Sequence, residues 1–235
     1  AIRKGQCKDL VHTRTTCPYC GVGCQIDLNL NQKTNEIVRV TSPVGCIPNN
    51  GNLCVKGRFA MDFVASEKRL TTPLIKRNGK FQRATWEEAT DLIAERLTKI
   101  KSTNGSDSIA GLSSAKCTNE DNYIFQKFIR VAIGTNNVDH CARLCHASTV
   151  AGLARAFGSG AMTNSIDELK NAACIFIIGS NTSEAHPVIA LGIKEAVVKN
   201  GARLVIADPR RIDLVGFAEL YLAQKPGTDV ALINA

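Results

Sequence analysis

Residues 173–207 read ACIFIIGSNTSEAHPVIALGIKEAVVKNGARLVIA and carry the most regular pattern in the chain. Residues 173–178 are continuously apolar and predict a buried strand, and residues 203–207 predict a second one. Between them, residues 187–199 predict a helix with proline at its first position, where the missing N–H costs nothing. A strand–helix–strand order of this length predicts a parallel pair joined by a right-handed crossover.

A polar turn follows each of these strands, at residues 179–186 and 208–211. In open parallel sheets, ligands bind beyond the carboxyl ends of the strands. Both turns are therefore candidate binding segments. Their Gly, Asn, Asp and Pro residues also favour turns without any ligand, so each residue taken alone leaves both interpretations open.

Further towards the N-terminus, short helical and strand patterns alternate. Thr85 and Glu88 form a capping box that predicts a helix start. A strand is expected at 108–112, a helix from Thr118 to Gly134 that buries Ile124, Phe125, Phe128 and Ile129, and a helix from Cys145 to Gly158. We therefore expect an α/β fold: a small cysteine-rich β module over residues 1–65, irregular and without a core of its own, then a Rossmann-like αβα domain with a parallel sheet over residues 66–235.

Four of the ten cysteines fall within residues 7–24. Cys17, Cys20 and Cys24 have the spacing C-x2-C-x3-C, and either Cys46 or Cys54 could supply a fourth thiolate. This spacing, with glycines between the cysteines, favours a [4Fe–4S] cluster. The alternative is a zinc knuckle, which usually pairs two C-x2-C units. Cys7 is expected to be a spare thiol or a remnant of an upstream module.

Composition excludes several classes of protein. The chain has 235 residues, a formal net charge of +8 and 44% apolar residues, so it can build a core. Its basic residues are scattered rather than clustered, which argues against nucleic-acid binding. No apolar run approaches the roughly 18 residues that span a bilayer. A cytoplasmic location is the default expectation; because the chain begins at Ala1, a removed leader and a periplasmic location remain the alternative.

Six segments together resemble the molybdopterin oxidoreductases, which carry a bis-pterin-guanine-dinucleotide cofactor. Within that family the chain is most similar to the catalytic subunits of molybdenum- or tungsten-dependent formate dehydrogenases. The segments are residues 17–24, 53–57, 133–146, 179–187, 208–210 and 226–229. Because these subunits are several hundred residues longer, the resemblance implies that the chain is an N-terminal portion of a larger subunit.

The resemblance implies specific roles for four residues outside the cofactor-binding turns. It makes Cys54 the fourth cluster ligand and Cys145 a ligand of Mo or W. His146 would assist the proton of the reaction, and Lys56 would connect the cluster with the pterin centre. Cys141 is expected to be a packing residue. The resemblance also implies seven cofactor-binding residues: Gly179, Asn181, Glu184, Asp208, Arg210, Gly227 and Asp229.

The implied reaction interconverts formate and CO2 and delivers electrons to a partner iron–sulfur or flavin subunit. The nearest alternative is a nitrate reductase of the same family, in which the metal-ligand cysteine is typically followed by a residue other than histidine. An alternative of another class is an electron-transfer module that uses only the cluster. A zinc-dependent binding protein is the third alternative.

Overall fold

In the computed structural model, which describes residues 9–235, strands and helices alternate as the sequence predicts. The strands are β1 (Leu10–Thr16), β2 (Gln25–Asn31), β3 (Ile37–Thr41), β4 (Leu74–Arg77), β5 (Lys80–Arg83), β6 (Gly111–Ser113), β7 (Val138–His140), β8 (Cys174–Ile178), β9 (Arg203–Ala207) and β10 (Leu220–Leu222). The α-helices are α1 (Val55–Phe59), α2 (Trp86–Asn104), α3 (Asn119–Lys127), α4 (Ala142–Cys145), α5 (Ala147–Phe157), α6 (Thr182–Ala185), α7 (Pro187–Asn200) and α8 (Asp229–Ile233).

The predicted strand–helix–strand unit is present as β8, α7 and β9. The two strands are parallel, with Ile175 opposite Leu204, and β10 adds a third parallel strand beside β9. Gly201, at a φ of +71°, ends α7 in the left-handed region that glycine adopts without strain. The core under this sheet is aliphatic; its fully buried members include Leu204, Ile206 and Leu214.

The cysteine-rich module contains a three-stranded antiparallel sheet in the order β1–β2–β3. Val22, Ile26, Val40 and Met61 are buried together against it. The expectation of an irregular module without its own core is therefore wrong. Strand β1 was not predicted from the sequence, because its residues are almost all exposed and show no alternation of apolar and polar side chains.

The segment between residues 67 and 162 contains the hairpin β4–β5 and the parallel pair β6–β7, in which Ser113 lies opposite His140. The predicted capping box of α2 is confirmed. The Glu88 N–H donates to Thr85 Oγ1 at 3.1 Å, and the Thr85 N–H donates to Glu88 Oε2 at 2.9 Å.

Two predictions in this segment are partly wrong. The helix expected up to Gly134 changes from α3 into a π-helical turn at Phe128–Ile133, which buries Ile129 and Ile133. Ile124 and Phe128, which were expected to be buried, are 60% and 41% exposed. The strand expected at 108–112 begins only at Gly111, after a 3₁₀ turn at Ser106–Ser108.

By its internal contacts the chain forms two compact units. One combines residues 9–66 with 163–235, and the other comprises residues 67–162. The domain boundaries expected from the sequence, 1–65 and 66–235, stay a prediction. Among residues 9–235, no helix has the length and apolar character needed to cross a bilayer.

Candidate functional site

Four thiols line one small cavity in the first unit. Cys17 follows β1, Cys20 lies in the loop, Cys24 precedes β2 and Cys54 caps the start of α1. The Cys17 N–H donates to the Cys24 carbonyl at 2.8 Å and closes the loop between β1 and β2. The structure thus brings together the four cysteines to which the sequence assigned the cluster.

The cavity holds thiols in an environment that disfavours bare negative charge. Burial raises the pKa of the Cys24 thiol to about 11, and the neighbouring Cys17, Cys20 and Cys54 raise it as well. A bound iron cluster supplies the positive charge that keeps such thiols deprotonated. The donor set and its mutual proximity therefore fit a [4Fe–4S] cluster.

Two glycines keep space beside these thiols. Gly57 is buried in α1, and a Cβ added there would lie 3.6 Å from Cys17 Sγ. Gly23, at a φ of +69°, turns the chain directly before Cys24 in a conformation that side chains disfavour. Gly57 thus brings the backbone of α1 to the cavity wall, and Gly23 allows the turn that leads into Cys24.

The arrangement bears on the zinc alternative and on the rival fourth ligand. No three His, Cys, Asp or Glu side chains among the described residues converge closely enough to hold a single metal ion. Zinc needs its sulfur ligands about 2.3 Å from one ion, whereas each thiolate of a cluster binds a separate iron. Cys54 lines the cavity and Cys46 does not. Cys7 lies outside the described residues.

Buried Asn49 fixes the loop that leads to Cys54. Its Oδ1 accepts the Gln25 N–H at 2.9 Å, and its Nδ2 donates to Ser42 Oγ and the Asn52 carbonyl, both at 2.7 Å. The sequence analysis missed this residue, because an asparagine in a polar loop gives no sign that it will be buried. Lys56, one residue into α1, is exposed and does not line the cavity.

Part of the cavity wall comes from far along the chain. Pro187 and Val188, the first two residues of α7, complete the lining together with Tyr19, Val22 and Leu53. The sequence analysis placed Pro187 in a cofactor turn and at the first position of a helix, and it connected neither Pro187 nor Val188 with the cysteines. Contact between segments so distant in sequence leaves no local signal.

At the carboxyl ends of β8, β9 and β10, polar side chains gather on the same unit. Asp208 follows β9 and is 3% exposed; its Oδ1 accepts the Arg210 N–H at 2.8 Å. Within the described part of the chain, two buried side-chain oxygens lack a hydrogen-bond partner, Asn181 Oδ1 and Gln224 Oε1. Buried polar atoms are rarely left unpaired, so these two oxygens fit a ligand that carries donors. Gln224 was not predicted.

The other predicted cofactor residues lie on the same three turns. Arg210 is 71% exposed at its side chain, with its Nε 3.7 Å from Asp208 Oδ1, and Glu184 is exposed. Asp229 Oδ1 accepts a hydrogen bond from Gln224 Nε2 at 3.0 Å. Gly179 and Gly227 have φ values of +61° and +83°, which explains glycine at both turns.

The Cys145–His146 pair lies in the second unit, on the turn that follows β7. Cys145 ends the single-turn helix α4, and His146, with φ −152° and ψ 25°, separates it from α5. Both side chains are exposed, and so is Cys141, which contradicts the expectation that Cys141 is a packing residue. Nearby, the Arg143 guanidinium, 2.5 Å from Asp139 Oδ2, lowers the pKa of that carboxyl.

Two family models match the chain. The molybdopterin oxidoreductase Fe4S4 domain covers residues 11–66, and the molybdopterin oxidoreductase model covers residues 69–235. The chain belongs to the molybdopterin oxidoreductase family. Members of this family hold a [4Fe–4S] cluster and a molybdenum or tungsten pterin cofactor, and the cysteine cavity and the orphaned oxygens described above fit these two groups.

Similar proteins are longer than this chain. It is 49% identical to F420-dependent formate dehydrogenase 1 subunit alpha of Methanococcus maripaludis over 97% of its own length and 32% of the relative. It is 42% identical to formate dehydrogenase H of Escherichia coli over 94% of its own length and 31% of that relative. The structure of acetylene hydratase from Pelobacter acetylenicus shares the fold, with a TM-score of 0.79, 23% identity and coverage of 93% of this chain and 30% of that one. The chain thus spans about a third of its curated relatives.

Proposed function

We propose that the subunit containing this chain interconverts formate and CO2 at a molybdenum or tungsten centre held by two pterin guanine dinucleotides, and that it passes electrons to a [4Fe–4S] cluster. The observation that carries the proposal is the similarity to formate dehydrogenase alpha subunits over nearly the whole chain, at 49% identity. A cysteine directly before a histidine on the turn after β7 supports it.

In this proposal Cys145 ligates the metal as a thiolate and His146 takes up or returns the proton. The N-terminus of α5 follows directly after His146, and no acidic residue occupies its first turn. Histidine exchanges protons near neutral pH. The metal–pterin group, when bound, supplies the two-electron chemistry, while these two side chains supply a ligand and a proton carrier.

The cluster side is carried by four thiolates and one lysine. Cys17, Cys20, Cys24 and Cys54 hold the iron, and we assign Lys56 the electronic connection between the cluster and the pterin. The position of Lys56 two residues after a cluster ligand supports this assignment, although its side chain does not line the cysteine cavity.

The turns after β8, β9 and β10 are assigned to the guanine dinucleotide. Asn181 Oδ1, Gln224 Oε1 and Asp208 offer acceptors, and the Watson–Crick edge of guanine presents a ring N–H and an amino group as donors. Arg210 is assigned to a phosphate, which a guanidinium binds in a bidentate manner. Glu184 and Asp229 are assigned to ribose or base edges, and Gly179 and Gly227 to the backbone turns around them.

We further propose that the rest of the subunit follows this portion and that an iron–sulfur or flavin subunit accepts the electrons. A cytoplasmic location, with the periplasm as the alternative, stays a prediction.

The test uses the full-length subunit with a viologen dye. We expect formate to reduce the dye and the preparation to contain iron, pterin and Mo or W. Cys145→Ser should lower the formate-dependent rate by more than about 100-fold, since removal of a supporting group around a metal already costs 10–100-fold. Cys117→Ser, which changes another exposed thiol, is the control and should retain the rate.

Other results would contradict the proposal. Nitrate-dependent oxidation of the reduced dye without formate-dependent reduction would favour a nitrate reductase. Iron without pterin, Mo or W would favour an electron-transfer module.

A further inference from the structure

The proposed metal ligand, Cys145, lies one helical turn from a second exposed thiol, Cys141. Cys141 has helical angles, φ −56° and ψ −23°, and directly precedes α4, which ends at Cys145. The Cys145 N–H donates to the Cys141 carbonyl at 3.0 Å, so the two residues span one full turn. Both side chains are exposed.

This spacing is close to that of a disulfide. Residues four apart in an α-helix have Cα atoms about 6 Å apart, inside the 4.4–6.8 Å range that disulfides span. Their Cβ atoms, at about 5–6 Å, would have to approach by roughly 1–2 Å. That movement affects little else, because α4 is a single turn that already ends at the non-helical His146, and Leu144 within it is 94% exposed.

We propose that Cys141 and Cys145 form a thiol–disulfide pair, which hydrogen peroxide oxidises to the disulfide when the Cys145 sulfur is not bound to the metal. This regulatory role rests on the proposed function of Cys145 as a metal ligand. In the disulfide, the Cys145 sulfur can still be reduced by thiols and is protected from irreversible oxidation to sulfinic and sulfonic acids.

The oxidant in this proposal is hydrogen peroxide. Peroxide converts the Cys145 thiol to a sulfenic acid and releases one water. The Cys141 sulfur then attacks that sulfur, the S–O bond breaks, an S–S bond forms and a second water leaves. In total, two thiols lose two electrons and two protons, and one peroxide becomes two waters.

The sequence supplies a direct assay, because Arg143 lies between the two cysteines. Trypsin cleaves after Arg130, Arg143 and Arg155, so each thiol falls in its own peptide, residues 131–143 and 144–155. Without a disulfide the peptides are separate. With one, they remain linked until a reductant is added.

The experiment treats the full-length subunit, with and without its pterin cofactor, with hydrogen peroxide, blocks free thiols and maps peptides by mass spectrometry without reduction. We expect the linked pair in the cofactor-free protein, no such link in Cys141→Ser, and an unchanged link in Cys117→Ser. In loaded enzyme we expect at least about tenfold slower linkage. Cys141→Ser should keep its formate activity before oxidation, but a thiol reductant should restore far less of it afterwards than in the wild type.

The two proposals fail in different ways. Absence of the linked peptides in both forms, with Cys145 oxidised to sulfinic acid instead, would overturn the thiol–disulfide pair. Equal linkage rates with and without the cofactor would support the pair and overturn the assignment of Cys145 as a metal ligand.

Discussion

The cysteine cavity is assembled from three segments far apart in the chain, whereas the Cys145–His146 pair stands on one short exposed turn. In the cavity, Cys17 and Cys24 are 9% and 6% exposed, and residues from the loop, α1 and α7 surround them. Cys145 is exposed and lies at the end of the single-turn helix α4, two residues before α5 begins. A metal site that the fold encloses belongs to the core of its unit, whereas an exposed ligand can be changed without disturbing packing.

The largest effect should follow from removing one enclosed ligand. We expect Cys24→Ser to abolish cluster binding, because a three-thiolate set leaves one iron without its ligand, so iron should fall from about four per chain to near zero. Iron analysis and the visible absorbance of the cluster measure this.

Cys46→Ser is the matched control, since Cys46 does not line the cavity, and it should retain the iron. Full iron in Cys24→Ser would remove Cys24 from the proposed ligand set, and loss of iron in Cys46→Ser would favour Cys46 over Cys54 as the fourth ligand. Either result would weaken the contrast between the two regions.

A middle-sized effect should follow from loosening the loop that carries Cys54. Asn49→Ala removes a buried side chain that accepts the Gln25 N–H and donates to three oxygen atoms. The Gln25 N–H would lose its acceptor, and leaving it unpaired should lower the free energy of unfolding by about 1–3 kcal/mol. Urea denaturation, followed together with cluster absorbance, measures both consequences.

Thr34→Ala, at an exposed position in the turn between β2 and β3, is the control and should change stability by less than about 0.5 kcal/mol. An Asn49→Ala variant as stable as this control would mean that the loop does not depend on the buried amide.

The smallest effect on stability should come from breaking an ion pair on the surface of the sheet β1–β2–β3. Arg14 Nε donates to Asp27 Oδ1 at 2.9 Å, and this hydrogen bond lowers the pKa of the Asp27 carboxyl. Because the folded-state pKa lies below the ordinary value of about 4, the pair stabilises the fold above that pH. The contribution is lost as the pH falls through the folded-state pKa.

We therefore expect Asp27→Asn to lower the free energy of unfolding at pH 7 by no more than about 1 kcal/mol, with the difference from the wild type vanishing at low pH. Arg14→Gln should reproduce the loss at pH 7. A difference that grows as the pH falls would contradict the assigned sign.

Features fixed by local chemistry could be predicted from the sequence. The capping box at Thr85 and Glu88 depends on hydrogen bonds within one turn, and the C-x2-C-x3-C spacing on ligands within one loop. The parallel β8–β9 pair follows from a continuous apolar run and a helix-length connection.

Features that depend on distant contacts could not be predicted in this way. Val188 joins the cysteine cavity through tertiary packing alone, and Asn49 is buried although its neighbours in sequence are polar. Phe128 is exposed because a π-helical turn replaces the expected α-helix, and no residue pattern signals that turn.

The placement of Pro187 and Val188 matters for protein engineering. A fragment of residues 9–66, made as a small redox domain, would contain all four proposed cluster cysteines but would lack the two residues of α7 that line the cavity. Air and chelators would then reach the sulfur atoms from that side. A graft that keeps the cavity wall complete should therefore carry the first turn of α7 along with the cysteines.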